Sequence, residues 1–443
     1  MHELKSVRWR RLAGAGLVAW LVALPLAARA LDGMQLAAGE CGDMVARHDV
    51  TALFPVSAFH GWTQAEAQAG QILEAWRSEA PGLAWTRIQL AMHIKHKVSP
   101  ERAARGLALM HVAMRDAWLA ATQCGEDGAL AQSMAAAQML GYLFNAEERS
   151  FDRVVFALVA LRDGQPRQTP ADAARRALSL GHEIGRQFIA YATADGAQYG
   201  WNGVRLQWYG EGRYYGPGSW EPTPPYFYFP PSEPFAPNWR PWVKMDAAAL
   251  RPVPPRYGSP DYLRDLEEVV RVQRELTPEQ LAIARFWVDG HGSVTPSGHW
   301  NEIALDALKT ARLSPTQTAE LFADLNMAMA DTFIAAWNVK YHYWTTRPVT
   351  AAQQLLGVTF TPAILTPPFP SYVSGHAATS GAAAGVLGHY LPAQRERFAG
   401  LAGQAAMSRL YGGIHFRHDN DDGLALGRTV AAGVVARRVA GVR

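Results

Sequence analysis

Apolar residues recur at helical spacing over most of this chain, and the pattern breaks in one place. Between Ala103 and Ala121 the apolar positions follow a 3.6-residue period, which predicts a helix; Asp172 to Ala192 reads the same way. Ser99-Pro100-Glu101 and Thr277-Pro278-Glu279 are helix starts, each a hydroxyl cap followed by Pro in the first turn and then an acid. Ser314-Pro315 is another, leading into a helix that carries Met327, Met329 and Phe333 towards Lys340. Helices are therefore expected over residues 31 to about 195, and again from near Asp261 to the end.

The break lies between residues 200 and 260. Tyr214-Tyr215-Gly216-Pro217, Trp220, Pro222 to Pro225, Tyr226-Phe227-Tyr228, Trp239 and Trp242 crowd this stretch. Proline at this density forbids regular helix, and the aromatic content argues for order. The stretch is expected to be a long ordered connection, serving as a packing strap, a functional loop, or both. The resulting organisation is all-α: an N-terminal bundle over 31–199, the connection over 200–260, and a C-terminal bundle over 261–443. The run Ala113-Met114-Arg115-Asp116-Ala117 shares Ala, Met and Asp with Ala328-Met329-Ala330-Asp331-Thr332, a hint that the bundles are related by duplication.

Composition adds limits. The 443 residues are 49% apolar, much of it Ala, which suits closely packed helices. Net charge is +3 with no long basic run, so no nucleic-acid footprint is indicated and anion attraction should be local to a pocket. Lys5, Arg8, Arg10 and Arg11, the apolar run Leu12 to Leu26 and Ala28-Arg29-Ala30 read as an export signal over residues 1–30, with an uncleaved anchor as the alternative. Cleavage would release a protein without a membrane span into the periplasm or the medium. The two cysteines, Cys41 and Cys124, are then candidates for a disulfide, two unrelated thiols being the other reading.

Three motifs near the C-terminus carry the chemistry. Lys340 and Arg347-Pro348 come first; seven residues apart on one helix, the two cations would share a face, with Pro348 stopping that helix or setting its exit. Next comes Pro370-Ser371-Tyr372-Val373-Ser374-Gly375-His376, ahead of the small-residue run Ala377 to Leu387. Ser374, Gly375 and His376 should therefore start a helix, where N–H groups and the dipole favour an anion. His376 can act as general acid or base. Last come Ser408-Arg409, His415 and Asp419; Gly412-Gly413 would turn Arg409 and His415 to one point, and Asp419 would orient His415. Each motif alone has a plain reading as a solvated basic face, a Ser cap or a surface His. Together and in order they describe a pocket for a tetrahedral oxyanion. Pro296-Ser297-Gly298-His299 copies the middle motif, but no suitably spaced Lys/Arg or Arg/His pair flanks it, so a loop is expected there.

The three motifs resemble the signature shared by type 2 phosphatidic acid phosphatases, bacterial non-specific acid phosphatases and vanadium-dependent haloperoxidases. That signature is Lys-x6-Arg-Pro, Pro-Ser-x-x-Ser-Gly-His and Ser-Arg-x5-His-x3-Asp, and this chain fits every position. Trp337 and Phe369 resemble the aromatic pair lining the halide site of fungal vanadium chloroperoxidases, and Phe286-Trp287-Val288-Asp289-Gly290 resembles the segment whose Asp hydrogen-bonds an active-site arginine there. Val373 departs from the fungal Pro. The resemblance implies helical bundles of the vanadium chloroperoxidase and acid phosphatase type, and one vanadate per chain, with no haem and no nucleotide. It implies that His415 coordinates vanadium, or is the phosphorylated nucleophile in a phosphatase. Lys340, Arg347, Ser374, Gly375 and Arg409 would hold oxygens, Lys340 would polarise peroxide, and His376 would handle a proton. Asp289 and Asp419 would stand behind them. The substrates implied are halide and hydrogen peroxide, with an organic acceptor left open. A secreted acid phosphatase and a non-catalytic anion binder are the competing readings.

Overall fold

The computed structural model describes residues 41–42, 63–162, 172–197 and 215–439. The leader read at 1–30 and the start of the aromatic connection, including Tyr214, lie outside the described residues. Within the described residues the regular structure is helical, with no strand beyond one isolated bridge between Ser219 and Thr345. The first half contains α1 (Thr63–Ala75), α2 (Leu83–Lys95), α3 (Pro100–Gln123), α4 (Gly128–Leu143), α5 (Glu148–Arg162) and α6 (Asp172–Thr193). The second contains α7 (Pro260–Arg274), α8 (Pro278–Phe286), α9 (Thr295–Ala307), α10 (Pro315–Tyr343), α11 (Pro348–Leu356), α12 (Gly375–Tyr390), α13 (Arg395–Tyr411) and α14 (Arg417–Val439).

The expected helix starts are present and physically simple. Ser99 caps α3 by accepting the Arg102 N–H, while Thr277 and Ser314 close reciprocal capping boxes with Gln280 and Gln317. One expectation fails. Pro296-Ser297-Gly298-His299 is not a loop but the first turn of α9, because Pro is pre-set for that position.

The halves pack alike. α3 lies against α4 and α6, and α4 against α5 and α6; α10 lies against α12 and α14, and α12 against α13 and α14. α3 and α10, which carry the matched Ala/Met/Asp runs, pack on each other and join the halves. Small residues set the closest approaches in corresponding places. A Cβ on Gly181 of α6 would sit 2.1 Å from the Ala131 carbonyl oxygen of α4, and one on Gly427 of α14 would sit 1.9 Å from that of Ala378 on α12. Neither backbone could come so near with a larger residue there. The largest apolar cluster runs through both halves, from Ala65 to Val434.

The described part of the connection, 215–259, contains a single short 3₁₀ turn, Ala236–Asn238. It lies across the C-terminal half of α10. The N–H groups of Trp242 and Val243 donate to Asp331, and the Ser232 carbonyl accepts from Trp337 Nε1 and Tyr341 Oη. It is a strap, and it also borders Trp337 and Tyr341, on either side of Lys340. Cys41 and Cys124, the latter at the end of α3, form a disulfide. No described helix is long and apolar enough to cross a membrane.

Candidate functional site

Lys340 and Arg347 do not share a helix as expected. α10 ends at Tyr343, where Trp344 adopts a left-handed conformation, and Arg347 is the cap residue of α11, which Pro348 opens rather than ends. The turn still brings both cations to one place, fully buried. Lys340 Nζ donates to the carbonyls of Pro370, Ser371 and Val373 at 2.5–2.9 Å. Arg347 donates to the carbonyls of Phe369 and Ile414, and its Nη1 lies 3.0 Å from His415 Nε2. The two cations thus tie together the loop ahead of α12 and the loop between α13 and α14.

The middle motif starts a helix, as its small-residue run predicts. Ser374 caps α12, its Oγ accepting from Ala377 N, while its own N–H donates to the Asp419 carbonyl. Gly375 packs against Trp337: a Cβ there would lie 3.4 Å from the indole. Trp337 and Phe369 are 5.0 Å apart between ring centroids, and Lys340 Nζ is within 5.0 Å of the Phe369 ring centre and 5.6 Å of that of Trp337. The aromatic pair therefore borders the cationic cluster.

The last motif folds as Gly412-Gly413 suggests. α13 ends at Tyr411, and Gly413 takes a positive φ of 74°. His415 Nδ1 donates to Asp419 Oδ2 at 2.8 Å, and the same oxygen accepts from Ser371 Oγ at 2.6 Å and Phe416 N at 3.2 Å. This bond fixes the neutral tautomer and leaves the Nε2 lone pair directed into the cluster. Arg409 donates to the carbonyls of Ala284 and Trp287. His376 bonds the Val288 backbone and leaves Nε2 without a partner. Asp289 is placed differently from its expected role. Its carboxylate bonds His299, 3.1–3.2 Å away, and acts on Arg409 only through its charge.

Burial shapes the electrostatics. It holds Lys340 well below the usual lysine range, with Arg347 adding repulsion, and lowers Arg347 to about 9 and Arg409 to about 10. Burial, then the neighbouring Arg347, keeps His415 neutral at physiological pH; burial and Arg409 do the same for His376. Burial would raise Asp419, but hydrogen bonds from His415 and Ser371 and the charge of His418 outweigh it and keep the carboxylate ionised. The cluster is a concentration of buried cations whose hydrogen bonds go mostly to neutral carbonyls.

Sequence reasoning missed several participants. Ser371 is in the motif, yet its role in holding Asp419 was not legible. The contacts of Lys340 and of Arg409 Nη2 are to backbone carbonyls, which no residue pattern displays, while Arg409 Nε donates to Ser408 Oγ within the motif. Glu101, distant in sequence, accepts from Ser232 Oγ at 3.4 Å, and burial followed by repulsion from Glu233 pushes its carboxyl up to about 7. The only signal for it was Ser99-Pro100-Glu101, read as a helix start.

A family model described as the PAP2 superfamily matches residues 322–440, which include every motif residue from Lys340 to Asp419. A solved structure of a bacterial vanadium-dependent iodoperoxidase is similar, with a TM-score of 0.68 and 26% identity over 80% of this chain and 95% of that one. The apo form of a bacterial vanadium-dependent chloroperoxidase gives 0.63 and 13% identity over 78% and 95%; the holo form gives 0.61 and 14% over 78% and 93%. These last two establish the shared fold alone. No curated protein matches the chain.

Proposed function

We propose that this chain, which belongs to the PAP2 superfamily and has the all-α fold of the vanadium haloperoxidases, is a vanadate-dependent haloperoxidase oxidising halide with hydrogen peroxide to hypohalous acid. The observation that carries the reading is the buried cationic cluster of Lys340, Arg347 and Arg409, lying beside a neutral His415 and bordered by Trp337 and Phe369.

The residues fit vanadate. Buried cations are costly unless paired, and the hydrogen bonds of these three go largely to carbonyls, so a multiply charged oxyanion would complete the site. His415 would hold the vanadium through Nε2. Lys340, Arg347, Arg409, Ser374 and the α12 start at Gly375 would hold oxygens. Bound vanadate supplies Lewis acidity that makes peroxide electrophilic towards halide. Asp419 keeps the His415 tautomer, and His376 Nε2 is available to take or give a proton. Trp337 and Phe369 would form an apolar, weakly hydrating wall for halide beside the charge of Lys340. The reading includes export by the 1–30 leader to the periplasm or medium and the bundle limits 31–199 and 261–443.

The test incubates mature protein with orthovanadate, bromide and hydrogen peroxide and follows bromination of a dye. Hydrolysis of a chromogenic phosphate ester by vanadate-free protein is measured alongside. Vanadate-dependent bromination that is lost in His415→Ala is expected. Absence of bromination, with rapid ester hydrolysis blocked by vanadate, would instead make His415 the nucleophile of a phosphatase.

A further inference from the structure

We infer that His299 is a positioning residue of the oxyanion pocket, holding the 287–289 segment in the one register that presents its carbonyls to Arg409 and His376. His299 belongs to the Pro-Ser-Gly-His copy at the start of α9. The inference holds whether the pocket serves peroxide or phosphate chemistry.

The geometry is a three-part clamp. His299 Nδ1 lies 3.1–3.2 Å from both Asp289 oxygens. Its ring stacks on Trp287 with centroids 4.4 Å apart and planes 24° apart, and meets Phe286 edge-on at 4.8 Å. Trp287 Nε1 is fixed from the other side by Gln404 of α13. Between these anchors, the Trp287 carbonyl accepts from Arg409 Nη2 at 2.5 Å, and the Val288 backbone takes the His376 ring. Asp289 itself has φ +44°, in the left-handed region that few non-glycine residues enter, although aspartate does so more readily than most. The His299 bond holds the Asp289 side chain at this turn.

α9 gives His299 a firm base. A Cβ at Gly298 would lie 2.9 Å from both Leu90 of α2 and Val294, so the first turn of α9 is seated against α2. The consequence reaches the pocket through two side chains. Without the clamp, Arg409 loses a fixed carbonyl for Nη2, and the His376 ring loses the acceptor that leaves Nε2 bare. The Asp289 carboxylate, whose charge supports Arg409, would also swing free. Asp289 cannot do this unaided, since its hydrogen bonds go to His299 and not to the arginine.

The test compares His299→Ala, His299→Phe and His299→Gln in the full mature chain, with thermal stability measured for each. Phe keeps the stack on Trp287 but donates nothing to Asp289, and serves if the Ala variant does not fold. Gln restores a donor. Two readouts go beyond stability: the His376 ring tautomer, from long-range proton–nitrogen correlations in histidine-labelled, vanadate-free protein, and the dissociation constant for orthovanadate. In the folded Ala or Phe variant we expect the single His376 tautomer to be lost and vanadate binding to weaken about 10–100-fold. Gln should restore both, to within about threefold in affinity. An unchanged tautomer with wild-type affinity in the Phe variant would overturn the inference. So would a Gln variant as impaired as Phe at equal thermal stability.

Discussion

Replacing Lys340 by Met separates what this side chain does for an anion from what it does for the fold. The Met stem fills nearly the same volume but carries no charge. On the fold, two effects oppose. The three carbonyls of Pro370, Ser371 and Val373 lose their donor, and each unsatisfied buried group costs about 1–3 kcal/mol. Where Lys340 is charged, below its lowered pKa, removing this buried cation returns several kcal/mol of desolvation, so net stability there should change by about 2 kcal/mol or less. Nothing offsets the loss to an anion. A unit charge pair about 4 Å apart is worth about 4 kcal/mol at the effective dielectric of such sites. Orthovanadate affinity should therefore fall about 100–1,000-fold, at about 1.4 kcal/mol per tenfold. There is also a signature in pH. Burial holds Lys340 well below its ordinary range, and a bound anion favours its charged form. Binding by the native protein is then linked to proton uptake, and its affinity declines as pH rises through the lowered pKa. The Met variant lacks this component, so its affinity should depend less steeply on pH. Calorimetric titration with orthovanadate across the pH range, alongside urea unfolding, measures all three quantities. Affinity within tenfold of native, with an unaltered pH slope, would refute the placement of Nζ at the anion.

Two further expectations follow from neighbouring residues. Changing Trp337 or Phe369 to a polar residue should shift the ratio of iodide to bromide oxidation while leaving vanadate affinity within about threefold; collapse of that affinity would reduce the pair to core packing. Glu101→Gln tests the sign of a buried acid. Its folded pKa of about 7 exceeds the unfolded value near 4.5, so the native state holds the proton more tightly. The stability this contributes is full below about pH 4.5 and is lost as pH rises to about 7, a swing of up to about 3 kcal/mol. The melting temperature of native protein minus that of the Gln variant should fall across this window, and a pH-independent difference would contradict the assignment.

Much of this molecule was legible before folding was considered. Ser99, Thr277 and Ser314 mark helix starts because capping is a local event, decided by a hydroxyl and the N–H groups within four residues of it. Ser374 marked the anion-favouring helix start for the same reason, and the Ala content announced close helix packing. The order of Lys340, Arg347, Ser374, His376, Arg409, His415 and Asp419 pointed to the proposed oxyanion chemistry. What sequence could not supply was the means of convergence. Lys340 and Arg347 meet through a left-handed turn at Trp344 and not along one helix, because α10 ends before the spacing can act. The carbonyls that hold Lys340 and Arg409 belong to backbone, which is identical at every position and acquires meaning only from its path. Glu101 and His299 come from α3 and α9 and matter because packing brings them to the connection and to the 287–289 segment. Sequence determined which charged and titratable groups were available, whereas tertiary structure decided which of them were buried together. Burial is what turns ordinary Lys, Arg and His into a cationic pocket that calls for an anion, since removing water makes unpaired charge costly.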